Sequence, residues 1–393
     1  MELLKVKNFA SVTTGGTPST KNKDFWKGGD IPWLNSGELN QNIVKTTRNY
    51  ITELGLKNSS AKLMPENTVL IALTGATTGV VGFLTFEASA NQSVTGILPS
   101  NKHFPKYLFY YLKSIRPKVL HDAYGGAQPH ISQGYVKELK IPLPPLDQQK
   151  KIAAILDAAD AYRQKTKALI KKYDELKQSL FLDMFGDSSI FEHKLISEVA
   201  SDKKYSLSSG PFGSNLTSKH YTESGIIILR GTNVTSGTLD LSNVKYVSEE
   251  KATELKRSEL KPGDVVVVAV GSSGKALRIP DNLNRAIMSQ NFNKISPNKK
   301  IVTSLYLEFC FNSQLVQNQF KREMTDTVRT FLSLTKIKGV SIPVPPLELQ
   351  NQFAERVQAI EAQKAQAQAS LAQAEDLFNS LLQRAFKGEL AVE

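Results

Sequence analysis

The sequence predicts an α+β chain in which two similar mixed α/β lobes are separated by a pair of long antiparallel coiled-coil helices. Three observations predict it. A six-residue Pro-rich motif returns half a chain later. Matching residues upstream of each copy keep the same order. Each copy then runs into a long stretch with a heptad stripe.

The repeat fixes the architecture. Ile141-Pro-Leu-Pro-Pro-Leu146 returns as Ile342-Pro-Val-Pro-Pro-Leu347, an offset of 201. Upstream the offset shrinks slowly. Tyr107, Leu108 and Ser114 match Tyr306, Leu307 and Ser313 at 199. Gln92, Ile97 and Pro99 match Gln290, Ile295 and Pro297 at 198, Leu63 and Pro65 match Leu260 and Pro262 at 197, and Leu34-Asn35 matches Leu229-Arg230 at 195. A drifting offset with preserved order is the mark of tandem duplication with a few loop insertions.

The domain order follows: a first lobe at 1–146, a central helix at 147–186, a second lobe at 187–346 and a C-terminal helix at 347–393. A length of 393 residues suits more than one core. Within the lobes, Thr68-Val-Leu-Ile-Ala-Leu73 and Asp264-Val-Val-Val-Val-Ala-Val270 read as buried strands. Gly75-Ala-Thr-Thr-Gly79 and Gly271-Ser-Ser-Gly274 read as the turns after them. Pro105–Leu112 and Ser304–Phe311 read as helices with an aromatic inner face.

The prolines at 142, 144 and 145 hold the chain extended before the next helix starts, with Asp147 and Glu348 as caps or first-turn acids. The stripes are Ile152, Ile155, Ala159, Tyr162, Thr166, Leu169, Tyr173, Leu176 and Leu180, then Phe353, Val357, Ile360, Lys364, Ala367, Leu371, Ala374, Phe378 and Leu381. Spacings of three and four define a heptad seam. Gly186 and Gly388 are stops, so each helix has roughly 38 residues and is about 57 Å long. Each seam needs a cover of matching length, and the other helix supplies it. Thr166 and Lys364 interrupt the stripes and leave part of this surface for another subunit.

Composition narrows the function. Hydrophobic content of 40% and charged content of 22% are those of a globular protein. The single cysteine, Cys310, excludes a disulfide framework and a multi-cysteine zinc site, and fits a reducing cytoplasm. No apolar run approaches the length of a membrane span. The net charge of +12 is not evenly spread. Residues 1–146 carry 16 basic and 9 acidic groups, and residues 187–346 carry 21 and 15. The lobes therefore hold +13, while the helical segments (8 against 6, then 4 against 7) nearly cancel. Positive charge localised on lobes points to a polyanion such as DNA.

Catalytic motifs are missing. Ala269-Val-Gly-Ser-Ser-Gly-Lys-Ala276 lacks the first glycine and the final hydroxyl of a phosphate-binding loop. Gly75–Gly82 does not fit the dinucleotide fingerprint, and no Asn-Pro-Pro-aromatic run of the amino-methyltransferases occurs. The five histidines, at 103, 121, 130, 193 and 220, are too scattered for a metal site, and Cys310 reads as core.

The duplication, Pro144-Pro-Leu-Asp-Gln-Gln149 and Pro345-Pro-Leu-Glu-Leu-Gln350, and a helix after each lobe resemble the specificity subunits of bacterial Type I restriction-modification systems. Gly15-Gly-Thr-Pro18, Ile31-Pro-Trp-Leu34 and Gly210-Pro-Phe-Gly-Ser214 resemble openings of that family's target-recognition domains, and the likeness covers essentially the whole chain. The resemblance implies a non-catalytic, sequence-specific DNA-binding subunit. Each lobe would read one half of a bipartite site. The helices would space the lobes and dock two modification subunits, which carry S-adenosylmethionine and methylate adenine. Two restriction subunits join where the complex also translocates and cuts. No cofactor or metal is implied for this chain.

DNA contacts call for Lys, Arg, Asn, Gln, Ser and Thr on polar or Gly-rich loops. In the first lobe these are Lys21, Lys23, Asn35, Thr77, Thr78, Gln128 and His130. In the second they are Lys219, Arg230, Asn233, Ser272, Ser273, Lys275 and Arg329. Two other classes stay open from the residues alone: a solitary DNA methyltransferase or nuclease, and a purely structural adaptor.

Overall fold

A computed structural model of the chain describes residues 3–126, 128–235, 238–270, 274–323 and 331–390. It is mixed α and β, and it divides into two compact units. The first unit joins residues 1–168 to 367–393; the second is residues 169–366. Each unit is thus one lobe with half of each long helix.

In the first lobe a five-stranded sheet runs in the spatial order Val12–Thr14, Val94–Ile97, Val69–Ala72, Val81–Leu84, Ile43–Val44. Its last pair is parallel and the others antiparallel. A three-stranded sheet places Ile31–Leu34 between Asn49–Ile51 and Ser89–Ala90, the latter parallel to it. The second lobe repeats the plan. Leu207–Ser209, Phe292–Ile295, Val265–Val268 and Ala276–Arg278 form one sheet. Lys245–Val247, Ile226–Leu229, Ala286–Met288 and Glu259–Leu260 form the other, again with one parallel pair.

The apolar runs are central strands because both of their faces are covered. Side chains alternate across a strand, so Val69 and Ile71 enter one core cluster while Leu70 and Ala72 enter another. In the second lobe Val265 and Val267 separate from Val266 and Val268 in the same way. Pro105–Ser114 and Ser304–Asn312 are helices whose Tyr107, Tyr110, Tyr306 and Phe311 are buried. Cys310 is also buried.

The Pro-rich motif seats each long helix on its lobe. Leu3–Lys5 pairs with Lys140–Pro142, and His193–Leu195 with Ser341–Pro343. The Tyr107 hydroxyl donates to the Pro142 carbonyl at 2.7 Å, and Tyr306 donates to Pro343 at 2.7 Å. The helices that follow span Leu146–Phe185 and Leu347–Lys387, with Asp147 and Glu348 in their first turns. They end one residue before Gly186 and Gly388, and Gly388 adopts the left-handed backbone of a helix stop (φ 79°).

The two helices run antiparallel within each unit. In the first, Lys167 pairs with Glu375 at 2.8 Å, and the Arg163 guanidinium lies 4.2 Å from the Phe378 ring centre. In the second, Lys364 pairs with Asp174 at 2.6 Å, Lys177 pairs with Glu361, and Phe181 and Phe185 pack on Phe353. The stripe of the second helix meets this contact along its length, from Phe353 and Val357 to Ala374 and Phe378.

The stripe expected on the first helix is corrected by half. Ile152, Thr166 and the partly buried Ala159, Tyr173 and Leu180 turn inward. Ile155, Tyr162, Leu169 and Leu176 are exposed. Inward packing uses Leu156, Arg163, Lys177 and Phe181 instead. The reason is local: the Arg163 guanidinium finds the Phe378 ring and the Lys177 ammonium the Glu361 carboxylate, which keep these cations on the inner face. Thr166 and Lys364 also face inward, with Thr166 Oγ1 donating to the Tyr162 carbonyl at 2.9 Å.

Candidate nucleic-acid interface

In the first lobe five chain segments converge at one edge of the strands. Gly15 N–H donates to the Val94 carbonyl at 3.0 Å, and Asn91 N–H to Leu34 at 2.8 Å. Leu73 N–H donates to Ser93 at 2.8 Å, and Ile131 N–H to Leu73 at 2.9 Å. The second lobe closes the same way. Gly210 N–H donates to Phe292 at 2.9 Å, Ser289 to Leu229 at 2.8 Å, Ala269 to Asn291 at 2.7 Å and Leu332 to Ala269 at 3.0 Å. All seven residues of each set correspond through the repeat. Gly15 and Gly210 are glycines for a steric reason: a Cβ there would lie 2.1 Å from the Ala90 oxygen and 2.0 Å from the Ser289 oxygen.

Side chains on this edge in the first lobe are polar. Thr17 Oγ1 donates to Gln92 Oε1, and Thr74 Oγ1 to Ser93 Oγ at 2.8 Å. His130 pairs through its backbone with Tyr124, and their rings meet edge to face at 5.0 Å. Gln128 is exposed near the tip of that hairpin, beyond the left-handed Gly125 and Gly126. Asn35 starts a 3-10 turn, Ser36–Gln41; its Oδ1 accepts from Gly37 N–H at 3.0 Å, and its own N–H donates to Glu38 at 3.0 Å. A shallow depression beside it is lined by Glu38, Asn40, Gln41, Thr46 and Arg48.

Thr77 is half-buried and donates to the Thr74 carbonyl at 3.1 Å. Thr78 is fully buried, and its hydroxyl donates to the Pro129 carbonyl at 2.7 Å. It therefore braces the 74–79 turn against the 124–130 hairpin and offers nothing to solvent. Lys21 and Lys23 are exposed, without an ion pair to described residues. They lie on a turn held to Thr52, whose Oγ1 donates to the Asp24 carbonyl at 2.8 Å.

In the second lobe Arg230 occupies the Asn35 position. Its N–H donates to Asn233 Oδ1 at 3.1 Å, as Asn35 does to Glu38. Its Nη2 donates to the Asn243 carbonyl at 2.8 Å, while its buried Nε has no partner among the described residues. Asn233 is buried and bonds Asp240 and Asn243 at 3.0 Å each, so it fixes the turn from within. Lys219 and Lys275 are exposed and make no ion pair with described residues. Ser272, Ser273 and Arg329 lie outside the described residues.

Sequence reasoning missed Thr17, Thr74, Ser93 and Tyr124 as members of this edge. Gln92 stood out as a repeat match with Gln290, and that match was the available signal for the segment. Among the described residues, no group of three or more His, Cys, Asp and Glu could hold a metal, and no helix is long and apolar enough to cross a membrane. His103 is buried, its imidazole pushed down to about 4 by burial, with Nδ1 bonded to Ser100 Oγ at 2.8 Å. It is a packing residue.

A model of the Type I restriction modification DNA specificity domain matches residues 1–178 and again 215–375. The chain is 24% identical to the type I restriction enzyme MjaIX specificity subunit of Methanocaldococcus jannaschii, covering 100% of this chain and 94% of that protein. It is 24% identical to the EcoKI specificity subunit of Escherichia coli K12, covering 94% and 84%. Among solved structures, the specificity subunit of a Type I system from M. genitalium superposes with TM-score 0.56 at 16% identity, covering 98% of this chain and 96% of that one. A chain from a type I R-M system studied for complex assembly and conformational transition gives TM-score 0.62 at 16% identity, covering 99% and 98%. The fold, two similar mixed α/β lobes with two long helices, is shared with these specificity-subunit structures. The chain belongs to the Type I restriction modification DNA specificity family.

Proposed function

We propose that each lobe reads one half of a bipartite DNA target through its converging loops. The two long helices set the distance between the half-sites and dock two modification subunits. Those subunits carry S-adenosylmethionine and methylate adenine in the DNA that this chain selects. Two restriction subunits complete the assembly when it also translocates and cuts.

The observation that carries this reading is the repeated set of four backbone hydrogen bonds, whose lengths match within 0.1 Å between lobes. One backbone frame holding different side chains is what two readers of different half-sites require. Phosphate contacts would come from the exposed Lys21, Lys23, Lys219 and Lys275, and base contacts from Asn35, Arg230, Gln128 and His130. Docking is supported by Ile155, Tyr162, Leu169 and Leu176. These four apolar residues recur every seven positions on one helix and stay exposed.

The test is exchange of residues 1–140 for the first lobe of another family member, in a complex with modification subunits. Methylation-sensitive sequencing should find one half-site changed and the other kept. Both half-sites changing together, or S-adenosylmethionine binding by the isolated chain, would overturn the proposal.

A further inference from the structure

The shared frame carries opposite chemistry in the two lobes. Through the repeat, Thr17 corresponds to Phe212, Thr74 to Val270 and His130 to Phe331. The bridge Thr74–His130 recurs as Val270–Phe331. In the first lobe these positions are polar: Thr17 and Thr74 are bonded to the 92–93 segment, and His130 pairs through its backbone with Tyr124. In the second lobe all three are large and apolar, yet exposed: Phe212 by 64%, Val270 by 44% and Phe331 by 48%. The loops bearing Phe212 and Val270 flank the 289–292 turn, to which Gly210 and Ala269 are hydrogen-bonded. They are held in water by a fixed backbone, and exposed apolar groups gathered on one edge mark an interaction surface.

The surroundings choose the occupant. Lys275 is exposed five residues after Val270 without an ion pair to described residues, and Arg230 borders the same edge. Apolar groups beside exposed cations match a DNA duplex. The apolar feature of base edges in the major groove is the thymine C5 methyl, which Phe contacts directly. We propose that the second lobe reads thymine methyl groups with Phe212, Val270 and Phe331, whereas the first lobe reads its half-site by hydrogen bonds. The inference rests on the reading that this edge faces DNA.

The experiment uses this chain assembled with its modification subunits, after sequencing has identified both half-sites. Thymines in one half-site at a time are replaced by deoxyuridine, which lacks only the methyl group, and equilibrium binding is measured. Deoxyuridine in the second half-site should weaken binding roughly fourfold per contacted methyl, the loss of one buried carbon. In the first half-site the change should stay under about twofold. A variant with Phe212→Thr, Val270→Thr and Phe331→His carries the residues that the first lobe holds on the same frame. It should assemble normally and bind thymine and deoxyuridine duplexes alike. Equal binding of both duplexes by the unaltered chain would overturn the inference, as would a second half-site without thymine. So would loss of modification subunits from the triple variant, since the apolar edge would then be a protein contact. None of these results touches the modular reading, which fails only if the lobe exchange alters both half-sites or the complex binds no duplex selectively.

Discussion

Gln149 Oε1 accepts the N–H of Phe104 at 2.8 Å, which ties the first turn of a long helix to the start of a lobe helix. The Gln149 amide closes the other side by donating to the Pro144 carbonyl at 2.8 Å. Gln350 repeats the arrangement, accepting from Thr303 N–H and donating to Pro345, both at 2.8 Å. Both glutamines are buried. The Gln of the Pro-Pro-Leu-acid-x-Gln motif is therefore the joint between lobe and helix.

Replacing either glutamine by leucine should leave a buried N–H and a buried carbonyl unpaired. An unsatisfied buried group costs about 1–3 kcal/mol, so Gln149→Leu and Gln350→Leu should each destabilise by about 2–4 kcal/mol. Denaturant unfolding of the full chain measures it. Glutamine-like stability in either variant would show that the joint is held by packing alone.

Glu308 gives the second lobe a pH dependence that the equivalent position of the first lobe lacks. Burial pushes its carboxyl up to about 7. The corresponding first-lobe residue is Phe109. A raised carboxyl favours the folded state at low pH. Its contribution is complete below the ordinary value of 4.5 and is lost as pH rises through about 7. Glu308→Gln should therefore stabilise the chain at pH 8 by about 1–3 kcal/mol and change little at pH 4. Thermal melts at the two pH values decide; an equal shift at both would exclude titration of Glu308 as the cause.

The exposed stripe on the first helix should be needed for assembly and not for folding. Changing Leu169 and Leu176 together to Ser should leave the melting temperature within about 3 °C. Co-purification of modification subunits should fall at least about tenfold. Retention of normal complexes on a sizing column would rule this stripe out as the docking face.

Helix length should act as the ruler between half-sites. Seven residues inserted after Ala168, matched by seven after Ala369, keep both stripes in register. They add about 10.5 Å, close to three base pairs at ~3.4 Å each. Methylated sites should keep their half-sites and gain a longer spacer. Two inserted residues turn the distal part by about 200° and should abolish assembly. An active heptad variant with an unchanged spacer would show that the helices do not measure.

The sequence by itself determined the duplication, the long helices and the strand runs, because these depend on order and period alone. Ile141–Leu146 against Ile342–Leu347, and the alternation within Val69–Ala72 and Val265–Val268, are visible without coordinates. Only the tertiary structure decided which half of the first heptad stripe faces inward. Ile155 and Leu169 look more apolar than Arg163 and Lys177, yet the cations go inside because Phe378 and Glu361 of the other helix receive them. The candidate interface divided in the same way. Gly15, Gly210, Asn35 and Arg230 were legible as loop residues, whereas Thr78 and Asn233 proved to be internal braces. That Phe212, Val270 and Phe331 share one exposed edge was hidden, since an apolar residue in sequence reads as core. Its burial is set by what lies across the fold, which the residue and its neighbours in the chain do not encode.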